Sequence, residues 1–116
     1  MDNPDTVALV TEELIGGRVV TQPKALAAGT YYRGQLLGRT DTTGVYGAFN
    51  AGGSGGLEKI RAVMGADLVL SGAGNTMVFV SGSEMNSKGL KATGGTALTV
   101  TTAIIELAQD AGIIIK

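Results

Sequence analysis

Apolar and polar positions alternate with two different periods along this chain. Residues Ile60, Ala62 and Met64 alternate with Lys59, Arg61 and Val63, a period of two that predicts a half-buried strand. Near the C-terminus the period changes. Val100, Ala103, Ile104, Leu107, Ala108 and Ala111 fall on one stripe at helical spacing, which predicts a helix within "TVTTAIIELAQDAG". Thr99 is the expected N-cap, and Gly112 suits the left-handed position after the last turn. "IIIK" then closes the chain as a short apolar strand against the core.

The rest reads as short strands punctuated by glycine. Val7 to Thr11 and Arg18 to Thr21 carry strand-favouring residues separated by Gly16-Gly17, and Pro23 is expected to break the run. Ala28-Gly29 reads as a turn. Tyr31 to Thr40 reads as a strand interrupted by Gly34 and Gly38, and "DTTG" at Asp41 to Gly44 as a hairpin turn leading into "VYGAFN". In "ADLVLSGAGNTMVFVSGSEMN" two strands flank Ser71 to Asn75, the second ending near Gly82. Their continuous apolar cores, "LVL" and "MVFV", predict that both sheet faces are covered. The fold class that follows is α+β, mainly β: one compact domain over residues 23–116 with a helix in its C-terminal half, preceded by an extended N-terminal arm over residues 1–22.

Composition sharpens this picture. The 116 residues form one domain with a limited core. Charged residues make up 16% where about 25% is usual, and there are 19 glycines. A small domain has a large surface fraction, so scarce charge implies that part of the surface is covered by sister copies or a large partner. The net charge of −1 is uneven: Asp2, Asp5, Glu12 and Glu13 stand alone in the first 13 residues, whereas the remainder holds nine bases against six acids. Such an acidic head reads as an arm that orders on binding. No basic stripe favours nucleic acid, no apolar run reaches the ~20 residues that span a bilayer, and "MDNPDT" lacks the features of a secretory signal.

Candidate chemistry is sparse. With no histidine and no cysteine the commonest general base and the thiol nucleophile are missing, and disulfides are excluded. The run "FNAGGSGGLEKIR" raises the possibility of a phosphate loop in Gly52 to Gly56. Leu57-Glu58 follows where a P-loop needs Lys-Ser or Lys-Thr, and Glu58 stands where a dinucleotide fingerprint needs its third glycine. A mobile surface loop is the simpler reading. Ser87-Lys88-Gly89 reads as a solvated turn rather than a catalytic pair. Glu12 and Glu13 would point to opposite faces of a strand, and no calcium-loop spacing appears. The expectation is no enzyme, no cofactor and no metal.

Two stretches suggest contacts instead. Tyr31-Tyr32 places one ring inward and one outward on a strand, as core plus surface or as an interface anchor. Thr6, Val7, Ala8, Leu9 and Val10 would present apolar residues on both sides of an extended strand. They are either the first strand of the domain or a segment that adds to a partner's exposed sheet edge, with a hybrid of the two also open.

The order "ALAAGTYYRGQLLGR", "YGAFN", glycine loop, "IRAVMGADLVL", "VFVSGSEMN" and "ELAQDAGIIIK" resembles the head decoration (capsid cement) protein family of lambda-like tailed bacteriophages. The resemblance covers roughly Leu26 to Lys116. Met85 stands where an aromatic is expected, and Ala108 to Asp110 where a basic residue is typical. The resemblance implies a β-tulip-like fold and no catalytic residues. It also implies a homotrimer on the outer surface of the expanded head, at three-fold and quasi-three-fold positions, cementing neighbouring capsomers. Family arms order on the shell and pair with strands of the major capsid protein. The arm of this chain is not matched by any of these motifs, so its role rests on its own residues. Rival readings are another structural phage protein, such as a fibre base or tail component, and a small ligand-binding β domain using the Gly52–Gly56 loop.

Overall fold

The computed structural model describes residues 14–116. The fold is α+β and mainly β. Nine strands, a 3-10 turn and a helix follow one another: β1 (Thr21–Leu26), β2 (Gly29–Tyr31), β3 (Leu36–Arg39), β4 (Tyr46–Ala48), β5 (Ala62–Met64), β6 (Leu68–Leu70), β7 (Gly74–Phe79), β8 (Glu84–Met85), the 3-10 turn Ser87–Gly89, α1 (Thr102–Asp110) and β9 (Ile114–Ile115). Strands β1, β4, β3, β5 and β7 close into a barrel, β2 pairs with β6, and β8 pairs with β9 in parallel.

Two apolar clusters sit on either side of the barrel wall, and the strand period sorts residues between them. Leu26, Leu37, Ala62, Met64 and Val78 belong to one cluster. Their immediate neighbours Leu36, Val63 and Phe79 belong to the other, with Ile60, Met85, Leu90, Ala108 and Ile113. Successive side chains of a strand point to opposite faces. The first cluster therefore fills the barrel, and the second lies between its outer wall, α1 and the β8–β9 pair. This explains why β5 is buried throughout. Val63 was expected to face solvent, but it packs under the second layer.

The helix is shorter than its apolar stripe. Thr101, not Thr99, is the N-cap: its hydroxyl accepts from the Ile104 amide at 3.3 Å, and its carbonyl accepts the first helical bond from Ile105. Ala103 consequently lies exposed in the first turn, while Ile104, Leu107, Ala108 and Ala111 pack on the outer cluster. At the other end Gly112 takes a φ of +78°, and the Gly112 and Ile113 amides donate to the Gln109 and Ala108 carbonyls. That is the left-handed double-bonded cap expected of glycine there. Replacing Thr101 by alanine should cost about 1 kcal/mol, read as a lowered denaturant midpoint with an unchanged slope.

The boundary at residue 22 does not separate an arm from a body. Leu14 is buried in the outer cluster at 3% exposure, Ile15 bridges to Met85, and the Gly16 amide donates to the Glu84 carbonyl. Residues 14–22 are thus part of the domain. Pro23 lies inside β1 rather than ending a run. It pairs with Met77 on one edge, and β1 meets β4 only at Leu26, so no partner strand needs the missing amide. The hairpin at residues 41–44 joins β3 to β4 as expected.

Candidate interaction surface

The two strands expected around residues 71–75 form as β6 and β7, and they pair with other strands rather than with each other. Residues 21–26 pair antiparallel with 74–79, and residues 29–31 pair antiparallel with 68–70. The two pairings follow one another along the same two segments, as a ribbon interrupted at residues 27–28 on one side and 71–73 on the other.

The inward side of this ribbon carries Leu26, Tyr31, Leu68, Leu70 and Val78 onto the barrel core. The outward side carries Pro23, Ala25, Thr30, Val69, Asn75 and Met77. All six are exposed and none is charged. Val69 is 72% and Met77 49% exposed, among the largest apolar side chains left in solvent by the described residues. The expectation that both sheet faces are covered is corrected accordingly. Among the described residues cover stops at Phe79, where the Arg33 guanidinium lies 5.5 Å from the ring centroid and donates to the Gly65 carbonyl. Beyond it the outer face of the ribbon is bare.

The tyrosine pair divides as strand geometry requires. Tyr31 is buried and its hydroxyl donates to the Ala27 carbonyl at 2.7 Å; burial also raises its pKa. It is a core residue and is not available as an interface anchor. Tyr32 is half-buried, with its ring against Gly95 and its amide donating to Gln35. Thr6, Val7, Ala8, Leu9, Val10 and the Glu12-Glu13 pair lie outside the described residues.

The glycine run at residues 52–56 is tied by hydrogen bonds to its flanks. Gly52 and Gly53 donate to Asn50, Gly56 donates to the Glu58 carboxylate at 2.8 Å, and the Gly55 carbonyl accepts from Asp41. Three amides that a phosphate cradle would need are therefore spent within the loop, and a strand rather than a helix follows. Backbone hydrogen bonds at Glu58 and Gly56 hold the Glu58 pKa below its ordinary value. A depressed carboxylate stabilises above the unfolded-state pKa and loses that contribution as pH falls through the folded value. Acidification should shift the Gly56 amide resonance with a midpoint below that of an ordinary glutamate. Glu58→Gln should abolish that titration.

Ser87-Lys88-Gly89 is the 3-10 turn, with the Asn86 side chain accepting from the Lys88 amide and Lys88 exposed. Among the described residues no three acidic side chains gather as a metal site, and no helix is long and apolar enough to cross a membrane. No family model matches the chain, and no curated protein matches it.

The sequence carries the signal for the bare face only weakly. "LVL" and "MVFV" read as wholly covered strands, whereas Val69 and Met77 are the outward members of an alternating pattern.

Proposed function

We propose that this chain is a bacteriophage head decoration protein that binds the outer surface of the expanded capsid as a homotrimer. In this reading it holds the shell together against the internal pressure of packaged DNA. Its partners are sister copies and the major capsid protein, its place is the outside of the virion, and it performs no catalysis. The observation that carries the reading is the bare, uncharged outer side of the ribbon. Pro23, Ala25, Val69 and Met77 form a surface suited to a second copy, because burying it desolvates no charge. The ordered resemblance over residues 26–116 supplies the assembly to which such a surface belongs.

The mechanism is linkage. A protein that binds only the expanded lattice stabilises that lattice by its own binding free energy, and many modest contacts act together on one shell. The segment Thr6–Val10 adds a strand to the shell protein, with main-chain hydrogen bonds supplying affinity. The described residues 14–116 hold two packed core clusters of their own, so removing residues 1–10 should leave the domain folded, read as a cooperative thermal melt. The same truncation should abolish co-sedimentation with expanded heads. A truncated protein that still decorates heads would refute the role of the segment.

A further inference from the structure

We infer that the open end of the barrel where β1, β4 and β5 begin is a binding site for a compact tetrahedral oxyanion of the phosphate class. β1 runs parallel to β4 and antiparallel to β7, and β5 also runs antiparallel to β7. The starts of β1, β4 and β5 therefore meet the end of β7 at one mouth. Gln22 and Lys24 share the inward side of β1 with Leu26, because alternate side chains of a strand lie on one face. Val80 follows Val78 in the same way, and Tyr46 opens β4 packed on the barrel core. Arg61 immediately precedes β5, and Ser81 follows Val80. These residues line a cavity of about 260 Å³. At about 30 Å³ per water, that is room for a five-atom anion with part of its hydration shell.

The polar lining sets the charge and shape of the occupant. Lys24 and Arg61 supply two cations, and no carboxylate lines the cavity. Among the described residues neither cation makes an ion pair. The Lys24 ammonium stands 5.9 Å from the centroid of the Tyr46 ring. That cation–π contact holds a half-buried side chain at the mouth without neutralising it. Gln22, Tyr46 and Ser81 each add a side-chain donor with no protein partner among the described residues. Arg39 ends β3 opposite Tyr46 and brings a third positive charge to the same end of the barrel. One acid, Asp110, lines the adjoining cavity, together with the two cations Lys59 and Arg61. A planar carboxylate offers two oxygens in one plane, whereas a tetrahedral oxyanion presents acceptors in several directions, which suits five donors around one cavity. Charge-assisted hydrogen bonds from an ammonium and a guanidinium fork are the strong ones for such an anion. The inference concerns the free chain and stands apart from the decoration reading.

The test uses the full chain in solution, without heads. Sodium phosphate, sodium acetate and sodium chloride are titrated separately at constant ionic strength while amide resonances are followed. Phosphate should give saturable shifts at Gln22, Lys24, Tyr46, Arg61 and Ser81. Acetate should bind at least about tenfold more weakly, and chloride should not saturate. Lys24→Gln and Arg61→Gln should each weaken phosphate at least about tenfold, the effect of losing one charge-assisted hydrogen bond. Lys88→Gln, in the exposed 3-10 turn, should leave phosphate binding unchanged. Neither Lys24 nor Arg61 belongs to a core cluster, and a thermal melt of each variant checks its fold. If one variant does not fold, the other carries the test, beside the wild-type melting temperature, which phosphate should raise above matched chloride. Shifts that do not saturate or lie on another surface, acetate binding as tight as phosphate, or undiminished binding by the folded variants would overturn the inference.

Discussion

Replacing Met77 by aspartate is expected to leave a folded chain that neither associates with itself on the head nor stabilises it. Met77 is 49% exposed in β7, opposite Pro23, and belongs to neither core cluster. An aspartate there should cost the fold about 1 kcal/mol or less, the span of strand propensities at an exposed site. At an interface between copies the same carboxylate would lose its water with no cation to meet it. Pro23, Ala25 and Asn75 surround it, and a three-fold arrangement would repeat the unpaired charge three times. The loss in head binding should be at least about a hundredfold. Val69→Asp, on the same side of the ribbon at 72% exposure, should act alike. Lys88→Asp, in the exposed 3-10 turn, is the control expected to change binding little. The measurement is co-sedimentation with expanded heads beside a thermal melt of each free variant. Unchanged binding by both ribbon variants would place the interface elsewhere.

The second large effect is expected at Gly56, and it decides what the glycine run is for. Gly56 is buried with a φ of +110°, and a Cβ there would run into the Arg39 carbonyl oxygen and lie 2.8 Å from the Asp41 carboxylate. Gly56→Ala combines a disfavoured backbone with a clash against a main-chain atom, which should cost about 3 kcal/mol or more. For a domain of this size that is a fall of roughly 15 °C in Tm. Gly55 also has a positive φ, +73°, but a Cβ there meets nothing within 4 Å; Gly55→Ala should cost about 1 kcal/mol. Gly52→Ala should change stability by less than about 0.5 kcal/mol, since its nearest neighbour would be 3.9 Å away. A loop built to hold a ligand would show the opposite order, with stability unaffected and binding lost. Equal stability of all three variants would contradict the structural reading of the run.

The helix illustrates what the sequence could disclose. Its stripe Ile104, Leu107, Ala108 and Ala111 and its Gly112 cap depend on local spacing and one backbone angle, both written in consecutive residues. Which threonine caps the helix was not so written, because Thr99, Thr101 and Thr102 are chemically alike and the choice is made by where the preceding chain leaves the barrel wall. The strands were legible as short apolar runs, but not which faces they present. Val63 reads as an outward residue until a second apolar layer is known to cover it. Val69 reads as buried because "LVL" looks the same whether one side or both are packed. The ribbon was hidden for a related reason. The pairing of 29–31 with 68–70 joins segments nearly forty residues apart, and "SGAGN" carries turn residues that here separate the two pairings. Leu14 to Gln22 reads as part of the arm because it continues from the acidic head up to Pro23. Its place in the domain comes from long-range bonds to residues 84–86.

The central claim is that the bare side of the ribbon is covered by sister copies on the outside of a phage head. A cryo-electron reconstruction of expanded heads incubated with the purified full chain tests it most directly. The account predicts density in three-fold clusters on the outer surface, with Met77 and Val69 of each copy buried against a neighbour. Heads that remain bare, or that carry isolated copies with both side chains in solvent, would contradict it.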